Sequence, residues 1–197
     1  GDVYKRQGQP GMTLHSGELS LRESPVEPMI DRIRRTIDEG HAGRIGHGVS
    51  IAWERDLVSL LEQMRNDGVL VEINLSSNDG ILGIAGYDHP FALYRASGVP
   101  MCFCTDDEGV NRSNLTMEYV KAVQYFDLDY REIKDLARNC IEYSFLAGES
   151  LFRDRDYTKR RTVAPASDKA AAQAALEAAF ERFEADLASG YRETTIP

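Results

Sequence analysis

The sequence predicts an α/β fold with parallel strands, amounting to half the β/α units of a TIM (β/α)8 barrel and followed by C-terminal helices. Short apolar segments alternate along the chain with segments of helical periodicity. His15 and His47 are 32 residues apart, as are Asn74 and Asp106, close to the ~30 residues of one βαβ unit. Three of the predicted strands end in His, Glu or Asp, and parallel barrels carry their active sites at such strand ends.

Three helices are predicted between the strands. Apolar residues recur at helical spacing from Val26 to Ile37, from Leu57 to Met64, and from Phe91 to Ala96. Gly68 and Gly98 end the second and third of these segments. The order is therefore β-α-β-α-β-α-β, with strands near residues 12–15, 43–47, 69–74 and 100–105.

Beyond Asp107 the sequence predicts only helices. One is indicated by Met117, Val120, Val123 and Tyr125, which form its apolar face. A second begins at Asp129 with Glu132 in a capping-box pattern, and an Ala-rich third follows Ser167 and runs to about Ser189. The expected domains are a barrel half at 11–152, a charged solvated linker with the C-terminal helix at 153–197, and a linker or non-native junction at 1–10.

Composition is that of an ordinary globular protein. The 197 residues are 42% hydrophobic and 28% charged, and the net charge is −9. Such a charge disfavours a nucleic-acid partner, since phosphate binding depends on clustered Lys and Arg. The sequence contains no signal peptide and no apolar run of membrane length. Because we expect the true N-terminus to be missing, cytoplasmic and exported locations both stay open.

The strand ends supply residues suited to metal-assisted hydrolysis. A catalytic zinc commonly has three protein ligands and a coordinated water, and His15 and Asp106 are candidate ligands. Glu18, on the loop after His15, suits a general acid. His47, between two glycines, suits a general base or a stabiliser of the hydroxide, and Asp107 suits a hydrogen bond to the substrate.

Each of these residues also has a structural interpretation. A histidine at a strand end often only bonds to backbone, and a Thr-Asp-Asp turn is often a helix N-cap. His41, beyond a helix end, and His89, before Pro90, fit the structural interpretation better than a catalytic one. Cys102 and Cys104 share one face of a strand and suit apolar packing, with metal ligation as the lesser alternative.

The combined motifs are specific. The chain resembles the C-terminal half of adenosine deaminases over about residues 11–152. The matching segments are Leu14-His15-Ser16-Gly17-Glu18, Arg44-Ile45-Gly46-His47-Gly48, Glu72-Ile73-Asn74-Leu75-Ser76-Ser77-Asn78, Asp88-His89-Pro90, Gly98-Val99-Pro100 and Thr105-Asp106-Asp107-Glu108-Gly109-Val110.

The resemblance implies a TIM barrel and zinc-dependent hydrolytic deamination of adenosine to inosine, a step of purine metabolism and nucleoside salvage. It implies that His15 and Asp106 are zinc ligands and that Glu18 donates a proton to the purine N1. His47 would assist the zinc-bound hydroxide, Asp107 would contact the purine N7 and the attacking water, and Gly17 would lie against the substrate.

The sequence departs from the family in one important respect. The family's first strand supplies two zinc ligands from a His-x-His pair, and this chain contains none. We therefore expect an inactive fragment whose partner is a small purine nucleoside, with no nucleic acid or membrane. Adenine or AMP as the substrate, and a non-catalytic remnant that completes a barrel in trans, stay open as alternatives. Unpaired edge strands near Leu14 and Phe103, with apolar inner faces, predict self-association.

Overall fold

A computed structural model describes residues 11–190, which divide into two compact units between Phe145 and Leu146. The predicted junction at 1–10 and the end of the predicted C-terminal segment lie outside the described residues. Among residues 11–190, no helix combines the length and the apolar character that crossing a bilayer requires.

The first unit is built on a four-stranded parallel sheet. Its strands are β1 (Thr13–Ser16), β2 (Arg44–His47), β3 (Leu70–Ile73) and β4 (Met101–Phe103), in the order β1-β2-β3-β4. The register places Leu14 beside Ile45, Ile45 beside Val71, and Val71 beside Met101. The predicted parallel α/β fold of consecutive β/α units is confirmed, and its strand ends meet along one edge.

Helices follow each strand. They are α1 (Arg32–Asp38), α2 (Leu57–Asp67), α3 (Leu75–Leu82), α4 (Phe91–Ser97), α5 (Glu108–Asn111), α6 (Leu115–Phe126) and α7 (Tyr130–Glu142), with 3-10 turns at Glu27–Met29, Val49–Trp53 and Gly86–Asp88. The predicted ends at Gly68 and Gly98 are confirmed, since both glycines adopt positive φ as helix caps.

Two local predictions were wrong. The first helix is shorter than its apolar pattern, because Asp31 has a non-helical φ of −132° and separates the 3-10 turn at Glu27–Met29 from α1. Helix α3 was not predicted at all. The helix is short, and its buried side mixes Leu75 and Leu82 with Ser77 and Asn78, so no continuous apolar stripe marks it in the sequence.

Helix α6 buries a different side from the one predicted. Val120 and Val123 are exposed, whereas Glu118, Ala122 and Phe126 are buried. The Glu118 carboxylate accepts the backbone N–H of Ser76 in the first turn of α3. A buried charged residue therefore holds α6 against the N-terminus of α3, a position that favours negative charge.

Helix α7 begins as predicted and packs against β4. Asp129 and Glu132 form a reciprocal capping box. The side-chain amide of Asn139 donates to the carbonyl of Met101 at 2.8 Å. The β4 edge, predicted to be open, is therefore covered in part by α7.

The two faces of the sheet differ in chemistry. One face belongs to the core cluster, which we define as the apolar residues between sheet and helices: Ile33, Ile45, Leu60, Met64, Val71, Ile73, Phe91, Phe103 and Phe126. The other face carries an ion pair between Arg44 Nε and Glu72 Oε1 at 2.7 Å. Thr13 donates to the same Glu72 oxygen, and Cys102 lies 3.6 Å from Arg44. The expectation of an apolar inner face was wrong on this side.

The second unit consists of a β-hairpin and a helix. Strands β5 (Phe152–Arg153) and β6 (Asp156–Arg160) pair antiparallel, and α8 spans Asp168–Ala188. The prediction of helices alone beyond Asp107 was therefore wrong, and residues predicted to form the charged linker at the start of 153–197 form β6 instead. The predicted helix after Ser167 is confirmed, with Ser167 as its N-cap.

Candidate active site

Four predicted site residues lie together at the C-terminal ends of the strands. The ligand atoms of His15, Glu18 and His47 all lie within 4.8 Å of one another. His47 Nε2 is 3.5 Å from Glu18 Oε2 and 3.9 Å from Asp106 Oδ2. The His15 and His47 rings meet edge to face with centroids 4.7 Å apart. Residues from three strand ends thus face one small volume.

Two of these side chains depend on an unusual backbone. His47 and Asp106 have φ angles of 73° and 52°, in the left-handed region that residues with a Cβ seldom adopt. Both come at the point where a strand ends, so the turn redirects the side chain out of the alternating strand pattern. Such conformations cost about 1–3 kcal/mol each and concentrate at functional sites.

Gly17 has a clear backbone requirement. Its φ is 71°, and an added Cβ would lie 2.8 Å from Ile33 Cδ1. Its carbonyl accepts the N–H of Ser50 at 2.9 Å. These contacts explain glycine at this position by packing, and its predicted contact with substrate stays a prediction.

The glycines beside His47 make room for side chains of this protein. A Cβ on Gly46 would lie 2.7 Å from the His15 ring, so the ring of His15 lies over the bare backbone of β2. A Cβ on Gly48 would lie 2.5 Å from the hydroxyl of Tyr94, which donates to the Gly48 carbonyl at 2.7 Å. Gly46 therefore positions His15, and Gly48 lets α4 lie close to the end of β2.

Two side-chain amides contact Nδ1 of His47, the ring nitrogen on the side away from Glu18 and Asp106. The side-chain nitrogens of Asn74 and Asn78 are each 3.1 Å from His47 Nδ1. Asn78 Oδ1 in turn contacts His89 Nε2 at 3.1 Å. Burial lowers the pKa of His47 against the opposing effect of the Glu18 and Asp106 carboxylates. His47 Nε2 itself is buried and has no hydrogen-bond partner among the described residues.

The two neighbouring aspartates occupy different settings. Asp106 accepts a hydrogen bond from the buried hydroxyl of Ser77 at 2.7 Å. Asp107 is exposed and serves as the N-cap residue of α5. The structure brings the Asp106 carboxylate to His47, whereas the described residues show no hydrogen bond or ion pair between the Asp107 side chain and His15, Glu18 or His47.

The sequence analysis missed the residues that support the site. Asn74, Ser77 and Asn78 were quoted as part of a motif without a role, and His89 was assigned a purely structural one. Glu118 was placed within a helix whose apolar side was misjudged. A usable signal was present, because an Asn-x-x-Ser-Asn run directly after a parallel strand places amides and hydroxyls at the active-site edge.

The donors of this cluster fit zinc. Imidazole nitrogens and carboxylate oxygens are its usual ligands besides thiolate. The tightest three-residue group is His15, Glu18 and His47, whereas the resemblance pairs His15 with Asp106. We favour His15 with Asp106 as ligands, because the hydroxyl of Ser77 orients the Asp106 carboxylate and the resemblance assigns these two residues to the metal. This ligand assignment stays a prediction.

Comparison with known proteins gives a consistent result. A family model described as adenosine deaminase matches residues 4–153. An adenosine deaminase of Clostridium acetobutylicum is 32% identical over 139 residues, covering 70% of this chain and 38% of that protein. A human N6-methyl-AMP deaminase is 30% identical over 135 residues, covering 68% of this chain and 36% of that protein. The chain spans about two fifths of the length of the curated relatives that it matches.

The fold also matches solved structures. An amidohydrolase from Burkholderia ambifaria, crystallised with bound Zn, superposes with a TM-score of 0.66 at 19% identity. The superposition covers 91% of this chain and 43% of that one. At this identity the likeness shows the fold, which is a partial α/β barrel.

Proposed function

Because this chain belongs to the adenosine deaminase family, we propose that it supplies one part of a zinc-dependent hydrolytic deaminase that converts adenosine to inosine. The observation that carries the proposal is the convergence of His15, Glu18, His47 and Asp106 at the ends of three parallel strands. This arrangement unites a metal-binding set with a carboxylic acid and an imidazole, as hydrolytic replacement of an amino group requires.

Each residue has a proposed role. His15 and Asp106 would hold the zinc ion, which lowers the pKa of a coordinated water when bound. Glu18, whose side chain is 30% exposed, would donate a proton to the purine N1. His47 would assist the attacking water, either as a base or as a stabiliser of the hydroxide. Asp107 would contact the purine N7 and the attacking water, and Gly17 would lie against the substrate.

The proposed ligand set is incomplete within this chain. It contains four histidines in all and no His-x-His pair. We therefore expect the isolated chain to retain zinc weakly and to show no deamination. Co-expression with the part of the Clostridium acetobutylicum deaminase that precedes the matched region should supply the missing ligands, and both properties should then appear together.

The complemented protein allows the acid and the ligand to be separated. Glu18→Gln should abolish most turnover and keep zinc, because it removes a proton donor. Asp106→Ala should lose zinc and turnover together. Glu27→Gln, the same chemical change on an exposed turn, is the control and should alter neither. Full turnover in Glu18→Gln would show that the acid is misassigned.

The substrate assay should include adenosine, adenine, AMP and N6-methyl-AMP. The two named relatives act on a nucleoside and a nucleotide, so their shared 6-aminopurine ring is the common element. We propose adenosine, because the residues that converge at the strand ends, His15, Glu18, His47 and Asp106, include no Lys or Arg to bind a phosphate. Faster turnover of AMP than of adenosine would identify the protein as a nucleotide deaminase. A complemented protein that binds no zinc and shows no activity would favour a non-catalytic role.

Self-association belongs to the same proposal. β1 has a strand neighbour, β2, on one side only among the described residues. An unpaired parallel edge invites pairing with another chain. We expect sedimentation to show oligomers of the isolated chain, and a monodisperse monomer would contradict this.

A further inference from the structure

We propose that Cys102 of β4 and Cys140 of α7 form a dithiol site, which a hydroperoxide oxidises to a disulfide. The site lies outside the residues assigned to deamination, and it does not depend on the proposed function. It stands on a group of three thiols gathered beside one arginine.

The three cysteines form one group in the fold, although they lie apart in the sequence. Cys102 is in β4, Cys104 follows directly after it, and α7, which carries Cys140, packs against β4. Cys102 Sγ is 3.8 Å from Cys104 Sγ, and Cys102 is also hydrogen-bonded to Cys140. All three are free thiols. Cys102 is therefore the central sulfur of the group.

Arg44 places a positive charge at this group. Its Nη2 lies 3.6 Å from Cys102 Sγ, and its Nε pairs with Glu72 Oε1 at 2.7 Å. Its Nη1 donates to the carbonyl of Tyr143 at 3.0 Å, near the end of α7. The guanidinium is thus held in place by β3 and by the chain after α7. A fixed cation beside a thiol favours the thiolate, which is the reactive form.

Cys140 is the sulfur that reacts first. Its hydrogen bond with Cys102 lowers the pKa of Cys140 against the opposing effect of burial, and the Arg44 guanidinium lowers this pKa further. Cys140 is partly exposed, whereas Cys102 is buried. A partly exposed thiol of lowered pKa beside a second thiol is the arrangement found in redox-sensitive cysteine pairs. Cys102 is then the resolving thiol.

The reaction has two steps. The Cys140 thiolate attacks one peroxide oxygen, so that an S–O bond forms, the O–O bond breaks and hydroxide leaves. The sulfur is oxidised by two electrons to a sulfenic acid, and the peroxide is reduced. The Cys102 sulfur then attacks the Cys140 sulfur, an S–S bond forms, the S–O bond breaks, and the oxygen leaves as water with the Cys102 proton. With hydrogen peroxide, two thiols and one peroxide give one disulfide and two waters.

Cys104 contacts the same sulfur but is a poorer partner for Cys102. The N–H of Cys104 donates to the carbonyl of Ile73, so the chain is still paired as a strand at this residue. Residues two apart on a strand are separated by ~6.6 Å at Cα, near the upper limit of about 6.8 Å for a disulfide. Their Cβ atoms also point in the same direction. Cys140 approaches from a separate element, so its bond to Cys102 requires no bend in the strand.

The test is treatment of the full, reduced chain with hydrogen peroxide and a chelator, followed by alkylation, trypsin and mass spectrometry. Trypsin leaves Cys102 and Cys104 on residues 96–112 and Cys140 on residues 139–153. We expect these two peptides to be joined within one chain and separated by dithiothreitol, with one of the three thiols still free. A disulfide within 96–112, a bond between two chains, a sulfinic acid on Cys140 or three free thiols would overturn the proposal.

Single substitutions identify the sulfurs. Cys104→Ser is the matched control, and it should keep the joined peptides. Cys102→Ser and Cys140→Ser should each lose them. Loss of the bond in Cys104→Ser would contradict the assignment. If the buried change Cys102→Ser prevents folding, Cys104→Ser decides alone, because only Cys102 and Cys140 remain in that chain.

The order of reaction is tested on the reduced Cys104→Ser chain. A limiting amount of iodoacetamide near pH 7 should label residues 139–153 before residues 96–112, because the thiolate is the nucleophile. Labelling in the reverse order would contradict the assignment of Cys140 as the first sulfur.

The bond should also change the resistance to urea. It joins β4 to α7 and so restricts the unfolded chain. The oxidised Cys104→Ser chain should therefore unfold at a higher urea concentration than the reduced one, and Cys140→Ser treated in the same way should show no shift. A lower midpoint after oxidation would mean that the positions of β4 and α7 do not accommodate the bond, and would overturn the proposal.

Discussion

The core cluster and the buried polar network of this protein pack on the same sheet but are stabilised by different interactions. The polar network, as we use the term, comprises two hydrogen-bonded groups of buried or partly buried residues. One is Arg44 with Glu72, and the other is His47 with Asn74, Asn78 and His89. Core residues such as Ile45 and Phe103 stabilise the fold by burying apolar surface. This effect has no preferred direction, so it does not require one particular partner for each residue. Network residues depend on paired donors and acceptors at fixed distances, so each loss leaves another group unsatisfied. The core therefore determines whether the chain folds, and the network determines what the strand ends present.

The largest expected effect is in the core. Phe103→Ala removes a ring that stacks on Phe91 at 5.8 Å and meets Tyr119 at 4.9 Å. We expect a loss of about 3–5 kcal/mol in the free energy of unfolding, measured by urea denaturation. A loss below about 1 kcal/mol would show that the core can collapse around the cavity.

The next effect is in the network. Glu72→Leu leaves Arg44 without its carboxylate on the side of the sheet opposite the core. We expect about 2–3 kcal/mol of destabilisation, below the range for a fully buried pair because both side chains keep some exposure. The double variant Arg44→Met, Glu72→Leu should be more stable than Glu72→Leu alone. Equal stability of the two would mean that the unpaired charge is not the cause.

Acid should weaken the network more than the core. Histidine titrates near pH 6.5 in an unfolded chain, whereas burial lowers the pKa of His89 to about 4 in the folded protein. Between these values the unfolded chain binds the extra proton, so stability falls as the pH falls. From pH 7 to 5 we expect a loss of about 2 kcal/mol from His89. Urea denaturation at both values measures it, and His89→Gln should lack this part of the loss.

The smallest effect tests the side of α6 that the sequence misassigned. Val120 is exposed, so Val120→Thr should change the free energy of unfolding by no more than about 0.5 kcal/mol. Ala122, two residues along and fully buried, provides the contrast as Ala122→Asp, which should destabilise strongly. Equal effects at the two positions would contradict the orientation of α6.

The sequence predicted the core better than the network, for a physical reason. Apolar periodicity is a local property, so the four strands and the helices α2, α4, α7 and α8 could be placed from it. The network joins residues that lie far apart along the chain, such as Arg44 with Glu72 and His47 with Asn78, and pairing at that distance leaves no periodic trace. His15, Glu18, His47 and Asp106 were predicted because their types cluster at strand ends. The supporting residues Asn78 and His89 were given no such role, because their contribution depends on hydrogen bonds to residues that only the fold brings next to them.

The left-handed backbone at His47 and Asp106 limits how this site could be engineered. Neither conformation is favoured in a short peptide, and each is maintained here by surrounding contacts such as Ser77 on Asp106 and the two amides on His47. A graft of the bare residues onto another barrel would relax these turns and redirect both side chains. A portable version of the site must carry the chain from β2 through Asp106 as one block, which includes α4 and the hydrogen bond from Tyr94 to Gly48.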